Sequence, residues 1–205
     1  STIIPTEDKY TVMNVLGGID ENGIKSTINY QPESSVYSGF ILDDENDILN
    51  ISDTNIINAG ASTRGSAINS LGTVTLTNVT LNSNNVSGTT DVNTISSSSG
   101  NAYGGGIALE GTAGDIECDI FQYNISHTIG TTNTGTARGG AIYSNGTMTS
   151  IKGNFTENRA ISDGSSAEGG ALVSIGTLAS ITSEFSGNYA SGYGASKGGA
   201  MYLTE

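Results

Sequence analysis

The 205-residue sequence has no Trp, one Cys, one His, 2 Pro and only 7 Lys+Arg against 20 Asp+Glu. The lone Cys118 excludes an internal disulfide and a cysteine-based zinc cluster, and reads most simply as a small buried hydrophobe. A net charge of −13 leaves too few cations to neutralise a phosphate backbone or an anionic lipid surface, so nucleic acid is not an expected partner. No apolar run approaches the ~20 residues that span a bilayer, so no transmembrane segment is expected in this chain. The opening Ser1-Thr2-Ile3-Ile4-Pro5-Thr6-Glu7-Asp8 has neither a basic start nor a long apolar stretch. It reads as part of a mature or excised segment, with no signal peptide. Leu, Ile, Val and Phe number only 44, near the floor at which apolar burial offsets folding entropy. Order must therefore come from pattern.

What fills the chain is 27 Ser, 25 Thr, 20 Asn and 29 Gly, 101 of 205 residues, arranged in a repeat. A Gly-Gly-small-aliphatic element stands at RGGAI (138–142), EGGAL (168–172) and KGGAM (197–201), with weaker copies at RGSAI (64–68), YGGGI (103–107) and SGFI (38–41). The core of the motif is Gly139, Gly140, Ala141, Ile142, then Gly169, Gly170, Ala171, Leu172, then Gly198 and Gly199. A Gly-Thr pair follows seven residues after the first glycine, at Gly72, Gly111, Gly146 and Gly176. Further on, an F-x-x-N element recurs as Phe121/Asn124, Phe155/Asn158 and Phe185/Asn188, with LNSN (81–84) as a degenerate copy. The length varies only between that Asn and the next Gly-Gly, which puts every insertion at one corner.

Short Thr-, Ile- and Val-rich segments bounded by Gly, Asn and Ser read as strands, and no ten-residue stretch carries a helical period. A unit of about 27–30 residues holding about three short strands reads as a parallel β-helix, with domains at 1–37 (an irregular strand or cap region) and 38–205 (about six coils). Stacking would form ladders of inward Phe, Asn at a turn, and inward Ile68, Ile107, Ile142, Leu172 and Met201, with glycines of positive φ at the corner.

The paired GGA[ILV] and FxxN elements resemble the repeats of polymorphic outer membrane proteins, over about residues 64–205. The resemblance implies a right-handed β-helix, a type V autotransporter passenger, and a surface-exposed adhesive role without a catalytic site. It assigns the motif residues a structural part only.

Other groups carry weaker signals. Asp43, Asp44, Glu45 and Asp47 could gather oxygens around Ca²⁺ but lack EF-hand spacing, and a solvated turn is the simpler reading. Asp115, Glu117 and Asp119 alternate on one strand face, an acid pair that could serve glycoside hydrolysis, but no Lys or Arg is expected beside them in adjacent coils. His127 reads as a loop residue. Arg138, Glu168 and Lys197, each before a Gly-Gly, should form a surface ion ladder of a few tenths of a kcal/mol per pair. Tyr143 and Tyr202 are either an exposed platform for sugars or partly buried sheet residues. The six N-x-S/T sequons match chance expectation in so Asn-, Ser- and Thr-rich a chain.

No cofactor and no enzymatic constellation is implied. The expected role is an extracellular, cell-surface adhesive or structural stalk. Its partner would be a cell-surface or matrix protein or glycan, met through the segments 85–103 and 125–137. The alternatives are a filament subunit that self-associates end to end and, less supported by the residues, a carbohydrate-active enzyme. The unfinished coil opened by Gly198-Gly199 suggests a longer array.

Overall fold

The computed structural model describes residues 11–30, 39–61, 64–82, 85–87, 100–132 and 134–204, and these form an all-β molecule of parallel strands in four stacked sheets. Residues 1–10, 31–38, 62–63, 83–84, 88–99, 133 and 205 lie outside this description, and with them parts of the 1–37 region, the LNSN copy and the 85–103 segment.

From Ala102 on, each complete repeat contributes one strand to each sheet, and each strand pairs with its equivalent one repeat away. Sheet I collects the strands that follow the Gly-Gly motif: Phe40–Leu42, Ile68–Ser70, Ile107–Leu109, Ile142–Ser144, Leu172–Ser174 and Met201–Leu203. Sheet II holds the long strands Ile48–Ser52, Thr73–Asn82, Thr112–Gln122, Thr147–Thr156 and Ile181–Ser186. Val12–Leu16 adds a layer by pairing with Ile48–Ser52, and Ser26–Asn29 pairs with Thr54–Ile57. Sheet III takes the strands after the turn Asn (Asn85–Ser87, Ile125–Thr128, Arg159–Ser162, Tyr189–Gly192), with Gly60–Ala61 at its edge. Sheet IV takes the residue pairs before the glycines: Ala102–Tyr103, Ala137–Arg138, Ala167–Glu168 and Ser196–Lys197. The repeat thus has four strands where the sequence suggested about three. The two-residue strand of sheet IV is too short to carry a hydrophobic period.

Alternation decides which face is buried. In sheet II, Met148, Ile151 and Phe155 point inward while Thr147, Thr149, Lys152 and Asn154 face out. These inward residues, with Ile68, Ile107, Ile142 and Leu172 of sheet I, build one large core. Phe121, Phe155 and Phe185 stack within it, with ring centroids 4.2 and 4.8 Å apart and planes nearly parallel. Met201 and Phe185 belong to the same columns but stand at the sheet edge and are partly exposed.

Sheets III and IV face each other over a different filling. Ala137, Ala160 and Ala167 form a separate small cluster, joined by Ala190. The inward hydroxyls Ser126, Thr128 and Ser162 complete the layer. Each repeat therefore has a wide lobe of aromatic and aliphatic side chains and a thin lobe of alanines and hydroxyls.

The waist between the lobes explains the glycines. The first glycine of each motif (65, 104, 139, 169, 198) has φ between +41° and +63°, the left-handed turn that glycine adopts without a Cβ clash. At the second position the reason is space: a Cβ on Gly140 would overlap the carbonyl oxygen of Gly170 and the amide nitrogen of Arg159. The corner of one sheet pair there packs backbone against backbone on the start of sheet III.

Candidate functional site

The turn Asn residues line this waist. Asn124 and Asn158 are buried. Each Nδ2 donates to a carbonyl of the preceding repeat: Asn124 to Leu81 O at 3.2 Å, Asn158 to Phe121 O at 2.8 Å and Asn188 to Phe155 O at 2.8 Å. The Oδ1 atoms of Asn158 and Asn188 accept from the preceding Asn: Asn158 Oδ1 takes the backbone N–H and the Nδ2 of Asn124 (3.0 and 2.8 Å), and Asn188 Oδ1 takes those of Asn158 (both 2.9 Å). The ladder satisfies turn groups that would otherwise be buried without partners. The residue before each Asn lies in the left-handed region (Tyr123 φ 54°, Glu157 φ 51°, Gly187 φ 64°), which only Gly187 occupies without strain.

The residues before the glycines form a more embedded ladder than the sequence indicated. Arg138 Nε donates to Glu168 Oε2 at 2.6 Å and Lys197 Nζ to Glu168 Oε1 at 3.2 Å, and the Glu168 side chain is only 7 % exposed. Burial opposes ionisation of Glu168, but the hydrogen bonds and charges of Arg138 and Lys197 together outweigh it and hold the carboxyl below its ordinary value. The column continues through Tyr103 to Arg64, whose guanidinium stands 4.9 Å from the Tyr103 ring and pairs with Glu110. The weak RGSAI copy already held this signal, since its Arg64 occupies the same motif position as Arg138. Tyr143 packs on Tyr103 with centroids 4.6 Å apart and is 5 % exposed, so it is a buried sheet residue; Tyr202 is partly exposed beside Lys197. Burial pushes the Tyr143 hydroxyl above its ordinary value, with Tyr103 adding to the effect.

The acidic strand face is closed by cations, contrary to expectation. Lys152, directly opposite Glu117 in the next repeat, donates to it at 2.6 Å. Lys25 reaches Asp119 at 2.6 Å from the first layers of the chain, and Ser150 donates to Asp115. An extra residue bulges the strand between Glu117 and Ile120, just past the Glu117–Lys152 pair, which matches the 35-residue spacing of Gly104 and Gly139 against the 34 of Phe121 and Phe155. Cys118 points inward, and burial pushes its thiol well above the ordinary value. Of the acidic run, Asp44 Oδ1 accepts from the backbone and side chain of Asn46, and Asp47 turns inward to accept from Thr11 N at 2.7 Å. Asp43 and Glu45 are exposed. Among the described residues no group of three or more His, Cys, Asp or Glu is arranged to hold a metal ion.

The segments 85–103 and 125–137 are strands at both ends, not loops throughout, because the thin lobe extends sheets III and IV into them. The variable part of the repeat lies between its sheet III strand and its sheet IV strand, at 163–166 and 193–195 in the later repeats; in the earlier ones it includes 88–99 and 133, which lie outside the described residues. His127 lies on a strand of sheet III, and its Nε2 is 3.0 Å from Asp163 Oδ1 of the next repeat. Asp163 Oδ2 also accepts from Gly130 N at 3.1 Å. Partial burial opposes its charge, but the His127 contact and this N–H hold the carboxyl below its ordinary value. Gly135 O, inside the same connection, accepts from Thr128 and Ser162 hydroxyls at 3.3 and 3.2 Å.

At the turn from sheet II into sheet III stand Tyr123 and Glu157, and at the start of sheet III Arg159 and Tyr189, residues that the sequence patterns did not single out. They fall in the x positions of F-x-x-N and just after it, where no repeat draws the eye. Arg159 occupies the register of Ile125 and Tyr189, with its guanidinium 5.3 Å from the Tyr189 ring.

No helix among the described residues is long and apolar enough to cross a membrane, which says nothing of a β-barrel. Comparisons of this chain with known protein families, with curated proteins and with solved structures return no match.

Proposed function

We propose that the chain is a right-handed parallel β-helix of about six coils, of the polymorphic outer membrane protein repeat type, serving outside the cell as an adhesive and structural stalk. One observation carries this reading: a tightly stacked repeat places most of its length variation in one connection, that from sheet III to sheet IV, with a smaller insertion at 43–47 between sheets I and II of the first repeat. Such a rod holds small polar loops in a row, each weak alone, so that several engage one cell-surface or matrix partner together. The fixed part of each repeat keeps register through the Phe and Asn ladders and leaves the tip free to vary.

The test is deletion of 88–101 and 129–136 from the protein as it is expressed, with cell adhesion and thermal unfolding followed together. The reading expects adhesion to fall while the unfolding transition is kept. Full adhesion by a folded deletion variant would contradict it.

A further inference from the structure

The cations of this chain are almost all spoken for. Among the described residues, Lys25, Arg64, Arg138, Lys152 and Lys197 each have a carboxylate oxygen within 3.2 Å. Arg159 does not: its Nη2 is 3.9 Å from Glu157 Oε2, and its Nε is buried with no hydrogen-bond acceptor. The side chain is 37 % exposed, so its outer nitrogens meet solvent while the inner one is sealed. A guanidinium so placed offers an end-on pair of N–H donors to one incoming carboxylate. The Tyr189 ring lies 5.3 Å from it, and its ion pair with Glu157 is long.

The surroundings add apolar area. Tyr123, 41 % exposed, lies one repeat from Glu157; its positive φ puts it in a turn where a bulky residue is strained, and no core packing explains a tyrosine there. Gly187 occupies the next position of the same column, where the Glu157 side chain lies close enough that a Cβ would meet its Cγ at 3.0 Å. The Tyr189 ring beside a guanidinium that has only a 3.9 Å ion pair matches a sugar ring that carries a carboxylate: the ring stacks and the acid takes the fork.

We infer that Arg159, with Tyr123 and Tyr189, forms a binding site for a single terminal acidic sugar on an otherwise neutral glycan. The singular matters. The register positions flanking Arg159 hold Ile125 and Tyr189, so no row of cations runs along the axis to meet a polyanion, and the net charge of −13 repels one. The inference rests on the adhesive reading above and names its ligand class.

The probes are 3′-sialyllactose, lactose and a hyaluronan decasaccharide, titrated into the full chain and followed by NMR. The expected result is millimolar binding of sialyllactose, about tenfold tighter than lactose and weakened by salt. Arg159→Ala should reduce it to the lactose level with an unchanged thermal transition. Glu157→Gln, which removes the competing carboxylate, should tighten it about threefold, and serves if Arg159→Ala does not fold. Equal binding of sialyllactose and lactose, undiminished binding by Arg159→Ala, or tighter binding of the decasaccharide would each overturn the site. Adhesion that survives sialidase treatment of the cells but is lost on deleting 88–101 and 129–136 would overturn this site and leave the adhesive reading intact. Sialyllactose binding without any cell adhesion would do the reverse.

Discussion

The wide and thin lobes share the same four-sheet repeat but are held together by different physics. Between sheets I and II the filling is large: Phe121 and Phe155 stacked at 4.2 Å, flanked by Ile116, Ile142, Ile151 and Leu172, all buried. Between sheets III and IV it is Ala137, Ala160 and Ala167 with Ser126, Thr128 and Ser162, and the Ser126 hydroxyl has no hydrogen-bond partner. Apolar burial scales with area, so the wide lobe carries most of the stabilisation and the thin lobe depends on backbone ladders and hydroxyl bonds. A thin, hydroxyl-filled edge is where length can change without disturbing a core. The connections that vary most among repeats leave from it, while the wide lobe shows only the three extra residues of 43–47.

Substitutions can break that contrast, beginning with the largest effect. Phe155→Ala removes the middle ring of the stack and should cost about 3–5 kcal/mol, read as a shift of the denaturant midpoint at constant m-value. Asn158→Ala at the waist strips the bonds to Phe121 O and Asn188 and leaves the Asn124 N–H groups without their acceptor. The expected loss is about 3 kcal/mol by the same measurement. In the thin lobe, Ser162→Ala loses the bonds to Thr128, Gly135 O and Ser165 N, and should cost only about 1 kcal/mol. A Ser162 effect as large as that of Phe155 would dissolve the distinction between the lobes.

Glu168 sharpens the comparison at the outer corner, where the two lobes meet. Its carboxyl titrates lower in the folded chain than in the unfolded one, so the stabilisation it supplies is present above the unfolded value of about 4.3 and is lost as pH falls through the folded value. Glu168→Gln should therefore lower stability by about 2 kcal/mol at pH 7, with the gap to the parent closing as pH drops toward 3. Thermal melts across that range check it. A gap independent of pH would mean that packing and not charge makes the ladder.

Much of this architecture was legible in the residues because stacking forces equivalent positions to repeat. The Gly-Gly motif marks a left-handed turn followed by a backbone crossing, and the F-x-x-N spacing marks one ring column and one amide column. The parallel, in-register pairing of Ile107, Ile142, Leu172 and Met201 is what such a repeat implies. The thin lobe was less legible. Its filling of Ala and Ser has no hydrophobic period, so strands such as Ile125–Thr128 read as loop, and His127 with them. Lys152 as the partner of Glu117 was legible in the spacing, because the 35-residue offset from Gly111 to Gly146 runs unbroken from Thr112 to Glu117 and the bulge comes after it. Arg159 was invisible because its significance lies in lacking what every other described cation has, and that is a property of three-dimensional pairing.

The division of labour between the lobes is tested most directly by native-state hydrogen exchange within a single repeat, comparing amides of Thr147–Thr156 in sheet II with those of Arg159–Ser162 in sheet III. Residues 151–152 and 154–156 of the first strand, and Arg159–Ser162, pair on both sides, so for these amides hydrogen bonding alone would give equal protection. The account predicts slow exchange through global unfolding for the first and faster exchange through local opening for the second. Equal protection, or slower exchange in Arg159–Ser162, would contradict it.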